Sequence, residues 1–204
     1  MTDLERRLGD AAPAGELDAQ RLQRELSARA AANGLLDVAY ATMDSPVGEL
    51  LVAVTPRGLV RLAYPADSEE AVVEELAARV SPRVLHAPER TDAARRELDD
   101  YFAGGRTHFS LPVDWSLVRG FAQGVLRATA RVPFGQVVTY SEVAVAAGSP
   151  RAYRAAGNAL GSNPIPIVVP CHRVVHVGGG LGGYTGGLER KRFLLELEGA
   201  LPTG

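Results

Sequence analysis

The residues best suited to chemistry lie in one stretch, Asn163-Pro164-Ile165-Pro166-Ile167-Val168-Val169-Pro170-Cys171-His172-Arg173-Val174-Val175. It carries the single cysteine of the chain, with a histidine next in sequence. A thiolate is a strong nucleophile, but a free thiol is only a few per cent ionised near neutral pH, so attack on an electrophilic carbon requires a base. Adjacent side chains of an extended chain point to opposite faces, so adjacency of Cys171 and His172 does not by itself make them touch. The β-branched runs favour buried strands, while Pro170 removes a ladder donor and pushes Val169 toward extended geometry. The pattern predicts that Cys171 sits where a strand breaks into a turn and can present its thiol to a cleft. The competing reading is an inert buried cysteine, the commoner fate of a lone free thiol.

The context of the cysteine decides between the two. Pro170-Cys171-His172-Arg173-Val174, preceded by Asn163-Pro164 and followed by a glycine-rich turn and a terminal helix, resembles the active-site signature of the O6-alkylguanine-DNA alkyltransferases, also called methylated-DNA–protein-cysteine methyltransferases. The resemblance also takes in residues 132–140, 151–161 and 163–175, Tyr184-Thr185-Gly186-Gly187 and the closing Leu194-Leu195-Glu196-Leu197-Glu198-Gly199. It implies an α/β protein with a small ribonuclease-H-like N-terminal domain and a mainly helical C-terminal domain that holds a helix-turn-helix and the active-site cysteine. It further implies direct reversal of O6-alkylguanine in double-stranded DNA by irreversible, single-turnover transfer of the alkyl group to Cys171 after base flipping. No cofactor or metal is called for.

Carried over residue by residue, the resemblance gives each position a role. Cys171 is the nucleophile, activated through a water by His172, which Glu198 orients. Asn163 fixes the turn around the thiol. Tyr140 crowds the phosphate during base rotation and donates to guanine N3, and Arg154 fills the gap left by the flipped base. Arg151, Ala152, Ala155 and Gly157 form the DNA-facing surface of the second helix of the hairpin. Backbone groups near Val174 and Thr185, with Tyr184 as a wall, recognise the guanine edge. Two departures are visible: Leu126 stands where many members have Trp, and Tyr153 where most have a small aliphatic residue, so that Tyr153 either alters DNA affinity or packs inward. A catalytically silent relative that binds alkylated DNA is the alternative, but such alkyltransferase-like proteins replace the cysteine. A cysteine hydrolase would need a separately placed histidine and orienter, and His86, His108 and His176 lie in segments without a supporting motif.

Composition is compatible with these implications. Hydrophobic and charged fractions of 46% and 23% are those of an ordinary globular chain. One cysteine forbids an internal disulfide, and four dispersed histidines give no zinc-ligand spacing. No apolar run is long enough to span a bilayer, and the polar N-terminus is unlike a secretory signal, so a soluble, intracellular protein is expected; with the resemblance, the expectation is a cytoplasmic, nucleoid-associated and monomeric one. The net charge of −2 is unevenly divided: residues 116–204 carry nine Arg and Lys against four acidic residues. That asymmetry favours the C-terminal half as the polyanion-facing surface. The sole lysine, Lys191, reads as a consequence of composition.

The elements that must position these residues follow from periodicity. Residues 1–36 form an N-terminal extension with a helix near 16–32, a break at Pro13-Ala14-Gly15 and an apolar stripe of Leu17, Leu22, Leu26 and Ala30. Residues 37–112 form the N-terminal domain, with strands at 38–42, 50–54 and 59–64 in a meander and helices at 68–79 and 91–102. Residues 113–204 form the DNA-binding domain, entered through a connection at 111–115 and a helix at 117–130. A strand at 137–139 leads to a helix capped by Ser141, a turn at Gly148, and a second helix capped by Ser149 with Pro150 as its first residue. The small residues Ala152, Ala155, Ala156 and Gly157 suit a close approach to a minor groove. The run Gly178-Gly179-Gly180-Leu181-Gly182-Gly183 matches a dinucleotide fingerprint only formally, because too little chain remains for a βαβ unit. It is read instead as a tight loop that brings Tyr184 and Thr185 over the thiol pocket, ahead of a helix at 188–197.

Overall fold

The computed structural model describes residues 14–201. Its first element, α1 (Ala14–Ala32), includes Ala14 and Gly15, so the expected break falls within the helix, while Pro13 lies outside the described residues. The expected apolar stripe packs only in part, through Ala30, and the Leu17 side chain lies outside the described residues. Leu22 and Leu26 are exposed, and among the described side chains of this helix the buried ones are Ser27 and Ala30. Ser27 Oγ donates to Glu89 Oε1 at 2.6 Å, and Gln23 meets the His86 ring nitrogen at 3.2 Å.

The strand-period segments form a four-stranded sheet in the order β3-β2-β1-β4. β1 (Val38–Met43), β2 (Leu50–Thr55) and β3 (Gly58–Ala63) make the antiparallel meander, and β4 (Val84–His86) pairs parallel to β1. β4 escaped the sequence reading because three residues show no usable alternation. The sheet is buried on both faces. Leu50, Val52, Leu59 and Leu62 join one apolar cluster, while Leu51, Ala53, Val60 and Ala63 join another. Period-two alternation sends neighbouring residues to opposite sides. The second cluster is closed by Val72 and Leu76 of α2 (Glu69–Arg79), whose first turn is capped by Ser68. The first is closed by Ala94, Leu98 and Tyr101 of α3 (Pro88–Phe102). That helix begins earlier than predicted, because Pro88 occupies the first turn, where its missing N–H costs nothing.

The first cluster continues without interruption into the C-terminal half through Val125, Leu126, Ile165 and Leu194, so the two parts share a core. The connection at 111–115 is pinned along β3: Leu59 N–H donates to Pro112 O at 2.9 Å, and Asp114 N–H to Leu59 O at 2.8 Å. Gly58 permits this approach, since a Cβ there would lie 2.1 Å from Pro112 O. A 3-10 turn (Trp115–Leu117) then precedes α4 (Gly120–Thr129).

The C-terminal half consists of α4, α5 (Tyr140–Ala146), α6 (Tyr153–Gly161) and α7 (Leu188–Leu197), with a two-residue parallel pair between β5 (Val138–Thr139) and β6 (Val174–Val175). α5 and α6 form the expected helical hairpin across Gly148, but both caps differ from prediction. Thr139, not Ser141, caps α5. Its backbone is extended, its hydroxyl accepts from Glu142 N–H, and Glu142 bonds back in a capping box, which makes Tyr140 the first helical residue. Ser149 and Pro150 form a turn closed by Ala152 N–H to Ser149 O, and α6 begins at Tyr153 without a side-chain cap.

The segment before the cysteine is a buried turn and not a strand. Pro164 and Pro166 lack ladder donors, and the chain instead folds back, with Val169 N–H donating to Ile165 O at 2.9 Å. Ile167 takes φ 71°, an uncommon conformation for a β-branched residue, held by complete burial.

Candidate active site

Cys171 opens a 3-10 turn (Cys171–Arg173) at the floor of a cavity of about 800 Å³. The turn before it is held by Asn163, which stands in for the absent strand ladder. Its Nδ2 donates to Val169 O at 2.8 Å and to the Cys171 Sγ at 3.1 Å, and its Oδ1 accepts from Ile165 N–H at 3.0 Å. Burial pushes the thiol up to about 11, partly offset by the Asn163 hydrogen bond and the charge of Lys191. At neutral pH the resting group is the thiol, so the site needs an internal base.

A base is built behind it. His172 is fully buried, and its Nε2 lies 2.8 Å from Glu198 Oε1. Burial pushes Glu198 upward, but hydrogen bonds from His172 and Arg173 hold it at about 2. An ionised carboxylate only accepts, so Nε2 carries the hydrogen and Nδ1 keeps the lone pair. Nδ1 is buried with no hydrogen-bond partner among the described residues. Burial also lowers the imidazole's own pKa, with Glu198 opposing it. The result is a neutral imidazole whose free lone pair is available to a proton.

Arg173, known from the sequence only as part of the motif, completes the carboxylate clamp. Its Nε donates to Glu198 Oε2 at 2.8 Å, its second terminal nitrogen to Oε1 at 2.9 Å, and the other to Val132 O at 2.5 Å. Such a bidentate pair fixes both position and charge. Lys191 is not a mere consequence of composition. It is fully buried, donates to Val174 O at 2.6 Å and to Leu181 O, and is pushed down to about 8 by burial.

The cavity wall is made by Tyr140, Gly157, Gly183 and Tyr184, and its mouth by Tyr153, Arg154 and Thr185. The glycine-rich loop does bring Tyr184 to the wall. Gly182 is required there, with φ 68° and a would-be Cβ only 2.6 Å from the Tyr140 hydroxyl. The Tyr140 hydroxyl lies 3.5 Å from Gly183 O, its ring is 5.1 Å from that of His176, and burial raises its pKa. His176, set aside at the sequence level, thus lines the cavity.

Other expected positions are distributed less evenly. Arg154 is exposed at the mouth, its guanidinium 5.7 Å from the ring centre of Tyr153. Tyr153 does not pack inward and is 46% exposed. Ala155 is exposed, and Arg151 and Ala152 border a shallow neighbouring recess. Ala156 is fully buried, so it packs the hairpin and offers no surface to a groove. Thr185 is exposed at the rim and donates to Gly161 O at 2.7 Å. Val174 is fully buried and does not line the cavity, and its carbonyl accepts from Lys191.

Two residues of the N-terminal sheet unit reach the same centre. Tyr64 and Tyr184 share a hydroxyl hydrogen bond of 2.6 Å, and the Tyr101 hydroxyl donates to Glu198 Oε1 at 2.7 Å. Neither was singled out from sequence, where a tyrosine on a strand end or an amphipathic helix reads as packing. Among the described residues no cluster of His, Cys, Asp and Glu could hold a metal, and no helix is long and apolar enough to cross a membrane.

A thiol under a cavity, a buried base and a basic helical hairpin at its mouth define a protein that transfers a group onto its own cysteine. Comparison with known proteins agrees. Residues 38–115 match the ribonuclease-like domain of 6-O-methylguanine DNA methyltransferase, and residues 120–200 its DNA-binding domain. The methylated-DNA–protein-cysteine methyltransferase of Mycobacterium tuberculosis is 40% identical over 164 residues, covering 78% of this chain and 91% of the relative. The constitutive enzyme of Bacillus subtilis is 38% identical over 160 residues, covering 78% and 94%. Among solved structures, the M. tuberculosis O6-methylguanine methyltransferase aligns with TM-score 0.68 and 38% identity, over 82% of this chain and 96% of that one. The M. tuberculosis OGT in complex with DNA aligns with the same TM-score and identity, over 81% and 96%. The chain belongs to the methylated-DNA–protein-cysteine methyltransferase family.

Proposed function

We propose that the chain, acting as a monomer on duplex DNA, removes alkyl groups from guanine O6 and keeps them on Cys171. The observation that carries this reading is the thiol held at the cavity floor by Asn163, with the His172–Glu198 pair behind it and Arg154 at the mouth. Residues 37–112 supply the sheet unit and residues 113–204 the DNA-binding and reacting unit.

In this reading the exposed hairpin helix docks the DNA, and the small residues Ala152, Ala155 and Gly157 allow close approach to the groove, with Arg151 near the phosphates. The alkylated base leaves the stack at a cost of a few kcal/mol, and the Arg154 guanidinium fills the gap. Tyr140 and Tyr184 enclose the guanine, with Tyr140 donating toward N3 and backbone groups near Val174 and Thr185 reading the base edge. The thiol proton passes through a water to Nδ1 of His172, and Glu198 stabilises the imidazolium. The thiolate sulfur then bonds to the alkyl carbon as the carbon–O6 bond breaks, its electron pair leaving with guanine. The proton given up by the thiol ends on the restored guanine, which stays in the DNA, so charge balances. A thioether has no easy route back to a thiol, so each molecule reacts once.

The test follows the DNA. A duplex carrying one O6-methylguanine, incubated with the protein, is expected to yield unmodified guanine at that position, and Cys171→Ser to yield none. Release of the base or methanol in place of intact guanine would contradict the reading.

A further inference from the structure

The thiol pocket is assembled from the C-terminal half, yet Glu198 takes one of its four donors from elsewhere. Tyr101, in the last turn of α3, is fully buried and donates its hydroxyl to Oε1, the oxygen that also faces His172 Nε2. Its ring is held by Phe102 and Phe109 of its own unit, at 5.4 and 5.3 Å, and by Phe134 of the other at 6.3 Å. A buried hydroxyl placed by three aromatic contacts is not free to choose another partner.

We infer that Tyr101 is a positioning residue for the transfer reaction, through which the N-terminal unit sets the orientation and basicity of the Glu198 carboxylate and hence the basicity of His172. This rests on the reading of Cys171, His172 and Glu198 as the reacting chain. Arg173 grips both carboxylate oxygens, whereas Tyr101 adds its donor only to Oε1, the oxygen that His172 faces. The Tyr101 hydroxyl withdraws electron density from the oxygen on which the imidazolium proton depends. The groups that face His172 are Cys171 and Arg173 on its own turn, Glu198 and Lys191 from α7 and its end, and Tyr184 from the glycine-rich loop. Tyr101 acts on it only through Glu198.

Tyr101→Phe keeps the ring and removes the hydrogen bond. The variant is expected to transfer methyl from duplex O6-methylguanine about tenfold more slowly, because losing one hydrogen bond to a charged group loosens the orientation of the carboxylate toward His172, with duplex affinity unchanged within about twofold. The carboxylate, short of one donor, becomes more basic and stabilises the imidazolium, so the acid limb of the rate–pH profile moves to higher pH. A purely structural role would slow the reaction without moving that limb. In the Glu198→Gln background the added Tyr101→Phe change should have little further effect on rate, because the two act as one unit. A wild-type rate, an unmoved acid limb, or full additivity in the cycle would each overturn the inference. A second measurement needs no Tyr101 variant: the ring carbon resonances of labelled Tyr101 should shift in Glu198→Gln, and unchanged resonances would also overturn it. Cys171→Ser run in parallel keeps the two claims apart, since methyl taken up by that variant would remove the reacting chain itself, whatever Tyr101 does.

Discussion

The two ends of the cavity are built on opposite terms. At the floor, Cys171, His172, Glu198, Arg173 and Asn163 are all buried, and Glu198 alone accepts from three different side chains. At the mouth, Tyr153 and Arg154 are exposed, and the Arg154 guanidinium lies over the neighbouring Tyr153 ring. The floor is preorganised, so its charge arrangement is fixed before any substrate arrives, as electrostatic stabilisation of a reacting group requires. The mouth leaves its long, charged side chains exposed, where the proposed duplex would meet them. In the proposed function, chemistry and base extrusion are then separable by mutation, because the groups that serve them lie at opposite ends of the cavity.

The largest expected effect breaks the floor alone. His172→Ala and Glu198→Gln should each slow methyl transfer by about 10²- to 10⁴-fold, the range for losing a general base or its orienter. Duplex affinity should stay within about threefold, since neither side chain reaches the surface. Rapid-quench transfer rates beside equilibrium binding check this, and a parallel loss of binding would show that the two ends are coupled.

A smaller effect breaks the mouth alone. Arg154→Ala should slow transfer from duplex O6-methylguanine by about 10- to 100-fold, a share of the few kcal/mol needed to extrude a base. Reaction with free O6-benzylguanine, which needs no extrusion, should stay near normal. Arg154→Lys should recover only part of the loss, because it keeps the charge but lacks the planar surface. Equal slowing on free base and duplex would assign Arg154 to the pocket and not to the stack.

The smallest effect concerns stability. Glu198 and His172 both have folded pKa values below their ordinary values of 4.5 and 6.5. The unfolded chain therefore binds more protons in both windows, and stability falls as pH drops below 6.5 and again from 4.5 toward 2. Urea midpoints across pH 8 to 3 should show this decline, and Glu198→Gln should flatten the lower part. A pH-independent midpoint down to 4 would contradict it.

Much of this arrangement was legible in the sequence. The Asn163-Pro164 and Pro170-Cys171-His172-Arg173 segments are local, so their neighbours in space are their neighbours in sequence. The strand meander and the hairpin of α5 and α6 were legible for the same reason, since each is written in a single period. What depended on distant partners was not. The buried turn at 164–169 has the β-branched composition of a core strand, but Pro164 and Pro166 deny it ladder donors and it folds back on itself where no strand pairs with it. Thr139 and Ser141 are both good caps, and the choice fell to Glu142, which reaches back to Thr139. Tyr101 joins Glu198 across 97 residues, and nothing in its own helix marks it from other packing tyrosines.

The most direct test of the account is intact-protein mass spectrometry after incubation with an excess of duplex O6-methylguanine, followed by peptide mapping. One added methyl group per molecule, located on Cys171 and not increasing with further DNA or time, is the predicted result. More than one repaired base per molecule, or a methyl group on any other residue, would contradict it.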